Sequence, residues 1–238
     1  MGWTREQIQN HIKAAALLER IKTEAFQYLS ENPQTSEYEL QQFILQKFKE
    51  NKLKLDKDPP IVAYGASAAR PHYYPSKKSR KLKPDTLILI DIWARLKKRN
   101  APFADITWMG FYGKKVPAKI TKAYKSVIQA RDNCLRFISS ELEKARTPTG
   151  KEIDEHTRKI LIRAGYGKNI LHTTGHSIGF HSPHGKEGHL SLKNEAPLLI
   201  NIGYTIEPGI YFKGKWGIRS EINFYITKNK QIILTTPP

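Results

Sequence analysis

Cysteine is nearly missing from this chain. Its 238 residues contain one, Cys134, so no internal disulfide can form. A reducing, cytoplasmic setting is the natural reading. Long apolar runs are absent too, and nothing approaches the ~18–20 continuous apolar residues of a membrane span. Met1-Gly2-Trp3-Thr4-Arg5-Glu6 has no apolar stretch behind its basic residue, which argues against a secretory signal. Glu6 stands where a myristoylation motif wants Ser or Thr. Acidic residues are few beside basic ones, 22 against 40, for a net charge of +18. A lysine-rich solvated surface explains that excess, because it is spread along the chain. Attraction to nucleic acid, such as ribosomal RNA, is the other reading. Its densest cluster, Lys77-Lys78-Ser79-Arg80-Lys81-Leu82-Lys83 beside Tyr73 and Tyr74, carries no nucleic-acid motif.

What is present reads as one α+β domain spanning 1–238, with enough apolar residues, 39%, for one sizeable core. Internal repeats, low-complexity segments and linkers are lacking. Thr4 with Gln7 forms a capping box before Ile8, Ile12, Ala15, Leu18, Ile21, Ala25 and Leu29, a helical spacing that Asn32-Pro33 ends. Ser36 with Glu39 caps a second helix carrying Leu40, Phe43, Ile44 and Phe48. A loop then runs to Pro60, followed by a short strand, Ile61 to Tyr64. Thr86 to Trp93 reads as a strand buried on both faces, and across the loop Lys97–Pro102 it can pair with Phe103 to Tyr112. Apolar positions from Ile120 to Leu142 mark a long helix, and Thr149-Gly150 leads into another. Thr205–Phe212, Gly217–Thr227 and Gln231–Thr235 read as strands.

Three acids lie where the local pattern opposes them. Asp91 closes Leu87-Ile88-Leu89-Ile90, Glu207 follows Thr205-Ile206, and Glu221 sits beside the apolar positions Ile222, Phe224 and Ile226. A buried carboxylate must be neutralised, paired or bound to metal. Arg219 is placed to pair with Glu221 along one strand face. Taken singly, each acid reads as a strand-end or ion-paired residue; taken together, they call for a common cation. Five of the eight histidines also crowd one stretch: His172, His176, His181, His184 and His189. Such segments are often metal-free loops, but the glycines around His176 permit close backbone approach. His11 and His156 read as surface helix residues, His172 and His189 as structural ones, and Cys134 as a small apolar packer.

With these residues in view, the sequence resembles the pita-bread metallopeptidases along nearly its whole length. Ala69-Arg70-Pro71-His72-Tyr73 resembles the segment presenting a substrate-binding histidine. Leu89-Ile90-Asp91 and Ala104-Asp105-Ile106-Thr107 resemble the two aspartate strands, and Gly175-His176-Ser177-Ile178-Gly179 resembles the histidine-ligand motif. Thr205-Ile206-Glu207-Pro208-Gly209-Ile210-Tyr211 and Gly217-Ile218-Arg219-Ser220-Glu221 resemble the two glutamate strands. The resemblance implies a curved, mostly antiparallel sheet covered by helices. A single domain is expected, without the separate amino-terminal domain common in Xaa-Pro enzymes, and in that short form the chain is more like a methionine aminopeptidase. The resemblance also implies that Asp91, Asp105, His176, Glu207 and Glu221 hold two divalent cations. This oxygen-rich set suits Mn, Co or Fe(II), with Zn as an alternative. Glu207 would shuttle protons, His184 would stabilise the oxyanion, and His72 would contact the peptide beyond the scissile bond. Arg219, His181 and Trp93 are further candidates for supporting the ligands or touching substrate.

The chain departs from the family pattern in three places. The loop between the aspartates looks lengthened, Trp93 stands where glycine is common, and His184 lies one residue later than usual. His181 comes too early, and His184-Gly185 resembles the family's ending of this loop, which favours His184. Gly209-Ile210-Tyr211 and Arg219 resemble the Xaa-Pro branch, so hydrolysis of an amino-terminal Xaa-Pro bond is the expected activity, with methionine aminopeptidase as the runner-up. A non-catalytic module binding peptide or nucleic acid is the rival of another class. Such relatives lose metal ligands, whereas all five side chains are present here.

Overall fold

The computed structural model describes residues 2–237; Met1 and Pro238, the ends of the expected domain, lie outside the described residues. Helix α1 (Arg5–Glu31) starts at Thr4, whose hydroxyl accepts from the Gln7 amide at 3.3 Å while the Gln7 side chain accepts from the Thr4 amide at 2.8 Å. The reciprocal cap satisfies two donors that a first turn leaves open. Ser36 and Glu39 do the same for α2 (Glu37–Glu50). The segment expected to be loop after α2 contains a short strand, β1 (Leu53–Lys54), ahead of β2 (Ile61–Tyr64). It exists because β3 (Thr86–Leu96) runs three residues past its expected end, giving Leu53 and Lys54 partners in Leu96 and Arg95.

β3 and β4 (Phe103–Tyr112) form the expected hairpin, and its register sets which side chains share a face. Asp91 lies opposite Thr107, and Trp93 opposite Asp105. Facing residues of an antiparallel pair share a side, and alternate residues of a strand share a side. Asp91, Trp93, Asp105 and Thr107 therefore project from one face. The even-numbered residues Ile88, Ile90, Ile92, Ala94, Ala104 and Ile106 project from the other, into a core with α1 and α2. Each fully buried Ile or Leu there contributes roughly 1.5–3 kcal/mol. The lengthened loop at the tip does not disturb this pairing.

The second half is carried by α3 (Ala118–Glu143) and α4 (Gly150–Arg163), the latter opened by a third capping box, Thr149 with Glu152. Here the structure corrects the expected strands. Thr205–Phe212 is divided into β5 (Gly203–Ile206) and β6 (Gly209–Phe212), and Gly217–Thr227 into β7 (Trp216–Arg219) and β8 (Ile222–Ile226), with β9 (Ile232–Leu234) completing the order. β5, β8 and β9 make one sheet, and β6 and β7 another. Pro208 has no amide to offer a ladder, and the Glu207 amide donates instead to the Thr174 carbonyl at 2.7 Å. Both breaks fall at the same level, between the pairs Ile206–Ile222 and Gly209–Arg219, so Glu207 and Glu221 sit at facing kinks.

Cys134 is buried among Ile138, Ile153, Phe224 and Ile226, and burial pushes its thiol up to about 12, as suits an apolar packer. His11, expected on the surface, is fully buried. It lies on the apolar stripe of α1, where both ring nitrogens find partners: the Phe103 carbonyl at 2.6 Å and Thr235 Oγ1 at 2.7 Å. His156 is half-buried, stacked on Phe137 at 4.4 Å. No helix among the described residues is long and apolar enough to cross a membrane.

Candidate metal centre

The odd-numbered face of the β3–β4 hairpin meets the two glutamate kinks and the loop before β5. Asn223 of β8 joins the halves: its side chain accepts from the Asp105 amide at 3.0 Å and donates to the Asp105 carbonyl at 2.6 Å. His176 arrives beside β5 because its amide donates to Thr205 Oγ1 at 3.0 Å and its carbonyl accepts from the Thr205 amide at 2.9 Å. Gly175 is required there, since a Cβ would strike the Thr205 carbonyl. Asp91, Asp105, His176, Glu207 and Glu221 all line one cavity of about 570 Å³. Within it, Asp105, His176 and Glu221 offer ligand atoms all within 4.8 Å of one another.

The donor chemistry fits divalent cations. The Nδ1 of His176 lies 2.9 Å from the Ser177 carbonyl, which acts as its acceptor, so Nδ1 carries the proton and Nε2 presents a lone pair. That lone pair faces Glu207 Oε1 at 3.3 Å and Asp105 Oδ2 at 3.7 Å, an array of acceptors with no proton to share unless a carboxyl is neutral. Burial lowers the His176 pKa well below the usual range, with His184 adding to it. Burial raises Asp105 and Glu221 well above the carboxylate range, reinforced by neighbouring carboxylates. It pushes Glu207 up to about 7 against the pull of Arg219. Glu221 Oε1 is buried with no hydrogen-bond partner among the described residues. A buried acceptor left so costs on the order of 1–3 kcal/mol, which a cation would offset.

Arg219 does not pair with Glu221 as the strand pattern suggested. Its guanidinium meets Asp91 across the sheet and donates to Thr107 Oγ1 at 3.0 Å, and Thr107 in turn donates to Glu221 Oε2 at 2.8 Å. The kink between Arg219 and Glu221 turns them apart, and Asp91 is the nearer charge. Thr107 thus links Arg219 to Glu221, a role its place opposite Asp91 would have disclosed once the hairpin register was known. His72 and His184 also line the cavity; His184 stacks on His176 at 4.0 Å. His181 is exposed and is not among the lining residues. Trp93 lines the cavity and donates to Asp56 Oδ1 at 2.9 Å. His172 and His189, read as structural, lie on the cavity wall, His172 within 2.7 Å of the Tyr211 hydroxyl. Asp56 and Asp58 line it too, unmarked by any apolar context in the sequence.

A model of the metallopeptidase family M24 matches residues 9–228. A putative Xaa-Pro aminopeptidase of Mycoplasma pneumoniae is 31% identical over 177 residues, 74% of this chain and 46% of that protein. The crystal structure of an X-Pro aminopeptidase from Thermotoga maritima superposes over 100% of this chain and 63% of its own, at 26% identity and a TM-score of 0.87. A prolidase from Thermococcus sibiricus follows at 26% identity and a TM-score of 0.83, covering 98% of this chain and 59% of its own. The chain spans about half the length of the curated relatives it matches. The pita-bread fold expected of the sequence is the fold it shares with these structures.

Proposed function

The chain belongs to metallopeptidase family M24, and from that we propose that it is a metal-dependent aminopeptidase acting on peptides that begin Xaa-Pro. The observation that carries the proposal is the convergence of Asp91, Asp105, His176, Glu207 and Glu221 on one cavity with His72, His184 and Arg219. Asp91, Asp105 and Glu221 would hold one cation; Asp105, Glu221, His176 and Glu207 a second. Bound there, the pair would supply Lewis acidity to the scissile carbonyl and to the attacking water. Mn, Co and Fe(II) suit these donors, with Zn an alternative.

The remaining chemistry falls to the chain's own groups. Glu207, raised to about 7, is poised to take a proton from water and return it to the leaving amine near neutral pH. His184, beside His176, faces the cavity where it can donate to the developing oxyanion. His72, which lines the same cavity, would hold the peptide beyond the scissile bond. Arg219 opposes the burial that raises the Asp91 pKa and, through Thr107, orients Glu221. The Xaa-Pro preference rests on Gly209-Ile210-Tyr211, on Arg219, and on the names of the relatives above.

The test strips the metal and assays two peptides, one beginning Xaa-Pro and one beginning Met-Ala, before and after Mn or Co is restored. Metal-dependent release from the Xaa-Pro peptide alone is expected. Release from Met-Ala alone would reassign the chain as a methionine aminopeptidase. Cleavage of neither, by folded protein that binds metal, would leave a binding module.

A further inference from the structure

A second cavity, of about 820 Å³, lies against the catalytic one, and its wall is cationic. Arg70, Lys78, Arg80 and Lys213 line it together with Tyr73 and Tyr74, and no carboxylate does. Among the described residues none of these four cations forms an ion pair. Uncompensated like charges around one hollow raise the local potential and attract anions. The segment that carries His72 into the catalytic cavity is the partition: Arg70 and Tyr73 face the second cavity, His72 the first, and Tyr74 both.

The partition is built, not merely exposed. Glu37, fully buried at the start of α2, accepts from the Tyr64 amide at 2.7 Å, the Tyr73 hydroxyl at 2.6 Å and the Arg80 amide at 3.1 Å. With its carboxylate held by three donors behind the wall, the loop from Tyr73 to Arg80 is pinned at both ends. Ser79 Oγ, accepting from the Tyr38 amide at 3.0 Å, fixes it further. The Arg70 guanidinium rests over the Tyr73 ring at 4.4 Å, which orients it at little entropic cost. Lys213 comes from the far side, on the turn between β6 and β7. The lysine cluster that the sequence showed beside Tyr73 and Tyr74 thereby contributes to a cavity as well as to a solvated surface.

We propose that this cavity receives acidic side chains of the peptide substrate, on the carboxyl side of the scissile bond. The inference rests on the aminopeptidase reading above: an aminopeptidase holds one residue before the bond it cuts, so the rest of the peptide must leave the catalytic cavity. Tyr74 lines both cavities, so the anion-attracting hollow adjoins the catalytic one at that residue. The substrates favoured are then Xaa-Pro peptides that turn acidic within a few residues of the proline.

The test uses the full chain loaded with Mn or Co and three amidated peptides of one length. All begin Ala-Pro-Gly, and they end in paired Glu, paired Gln or paired Lys. The KM for the Glu peptide should lie on the order of ten-fold below that for the Gln peptide at low ionic strength, with kcat unchanged, and the gap should narrow as salt rises. A double variant, Arg70→Gln with Lys213→Gln, should close the gap and leave turnover of the Gln peptide intact. Equal KM values for Glu and Gln, or a gap that survives in the double variant, would overturn the assignment. Should none of the three peptides be cleaved, the aminopeptidase reading falls while this one is still decided by fluorescence anisotropy of labelled peptides. Tighter binding of the Glu peptide, lost in the double variant, supports it; equal binding overturns it. Millimolar inorganic phosphate that erases the preference, or a single-stranded oligonucleotide that outcompetes the Glu peptide, would reassign the cavity to free oxyanions or to nucleic acid.

Discussion

Glu207 shows how much a single position can depend on its surroundings. Its neighbours in sequence, Thr205 and Pro208, suggest only a strand end. In the folded chain its Oε1 accepts from Thr205 Oγ1 at 3.2 Å and faces His176 Nε2, while burial raises its pKa to about 7. A neutral amide of the same shape keeps the packing and loses the proton. Glu207→Gln should therefore lower kcat by about 10²–10⁴-fold and leave the far-ultraviolet circular dichroism and the urea midpoint at wild-type values or above them. A variant turning over at near wild-type rate would remove Glu207 from the proton path. Asp91, Glu207 and Glu221 were legible in sequence because carboxylates in apolar strands are conspicuous, whereas Asp105 was marked only by resemblance to the family and His176 by its glycine-flanked place among clustered histidines. Thr107, Asn223 and Asp56 were not legible, because their importance lies in partners more than thirty residues distant.

At the level of elements, helices were read more faithfully than strands. Capping boxes are local, so Thr4–Gln7 and Ser36–Glu39 announced α1 and α2 on their own. The breaks at Glu207-Pro208 and Ser220-Glu221 are set by a neighbouring chain segment, the Thr174 and Thr107 carbonyls that accept the displaced amides; Pro208 signals the first locally, and nothing local signals the second. A similar long-range fixture is Asp154 of α4, fully buried. One oxygen accepts from the Thr174 amide at 3.1 Å, Thr174 Oγ1 at 2.8 Å and Arg158 Nε at 3.0 Å, and the other from the Leu192 amide at 3.0 Å. It ties α4 to both flanks of the histidine loop. Asp154→Ala would strand two amides and a guanidinium. Urea unfolding should show a loss of roughly 3–5 kcal/mol, and isothermal titration a weaker cation affinity, since Thr174 precedes His176 by two residues. Unchanged stability would mean that the loop holds its shape without this anchor.

On the scale of the whole molecule, His11 joins three distant parts of the chain: α1, the first residue of β4 and the segment before the carboxyl terminus. Burial takes its pKa from 6.5 down to about 4, so folding favours the neutral ring. The unfolded chain binds the extra proton first, and stability is complete above about 6.5 and lost as pH falls towards 4. The loss is on the order of 3 kcal/mol across that window. Urea midpoints measured at pH 7 and pH 4.5 should fall more steeply for the wild type than for His11→Gln. Parallel declines would show that the ring is protonated without penalty. The sequence misplaced this histidine because one polar residue on an apolar stripe looks like the stripe's edge. Its burial depends on a strand ninety-two residues further on.

The parity of the β3–β4 register has a hereditary meaning. Residues added at the hairpin tip, between Lys97 and Pro102, change the distance in sequence between Asp91 and Asp105 and leave both on the same face. One residue added within either strand, unless a bulge absorbs it, would swing an aspartate towards α1 and leave the cavity with half of its first pair. Descendants of this chain are thus free to lengthen the turn by any number of residues, but to lengthen the strands only in twos.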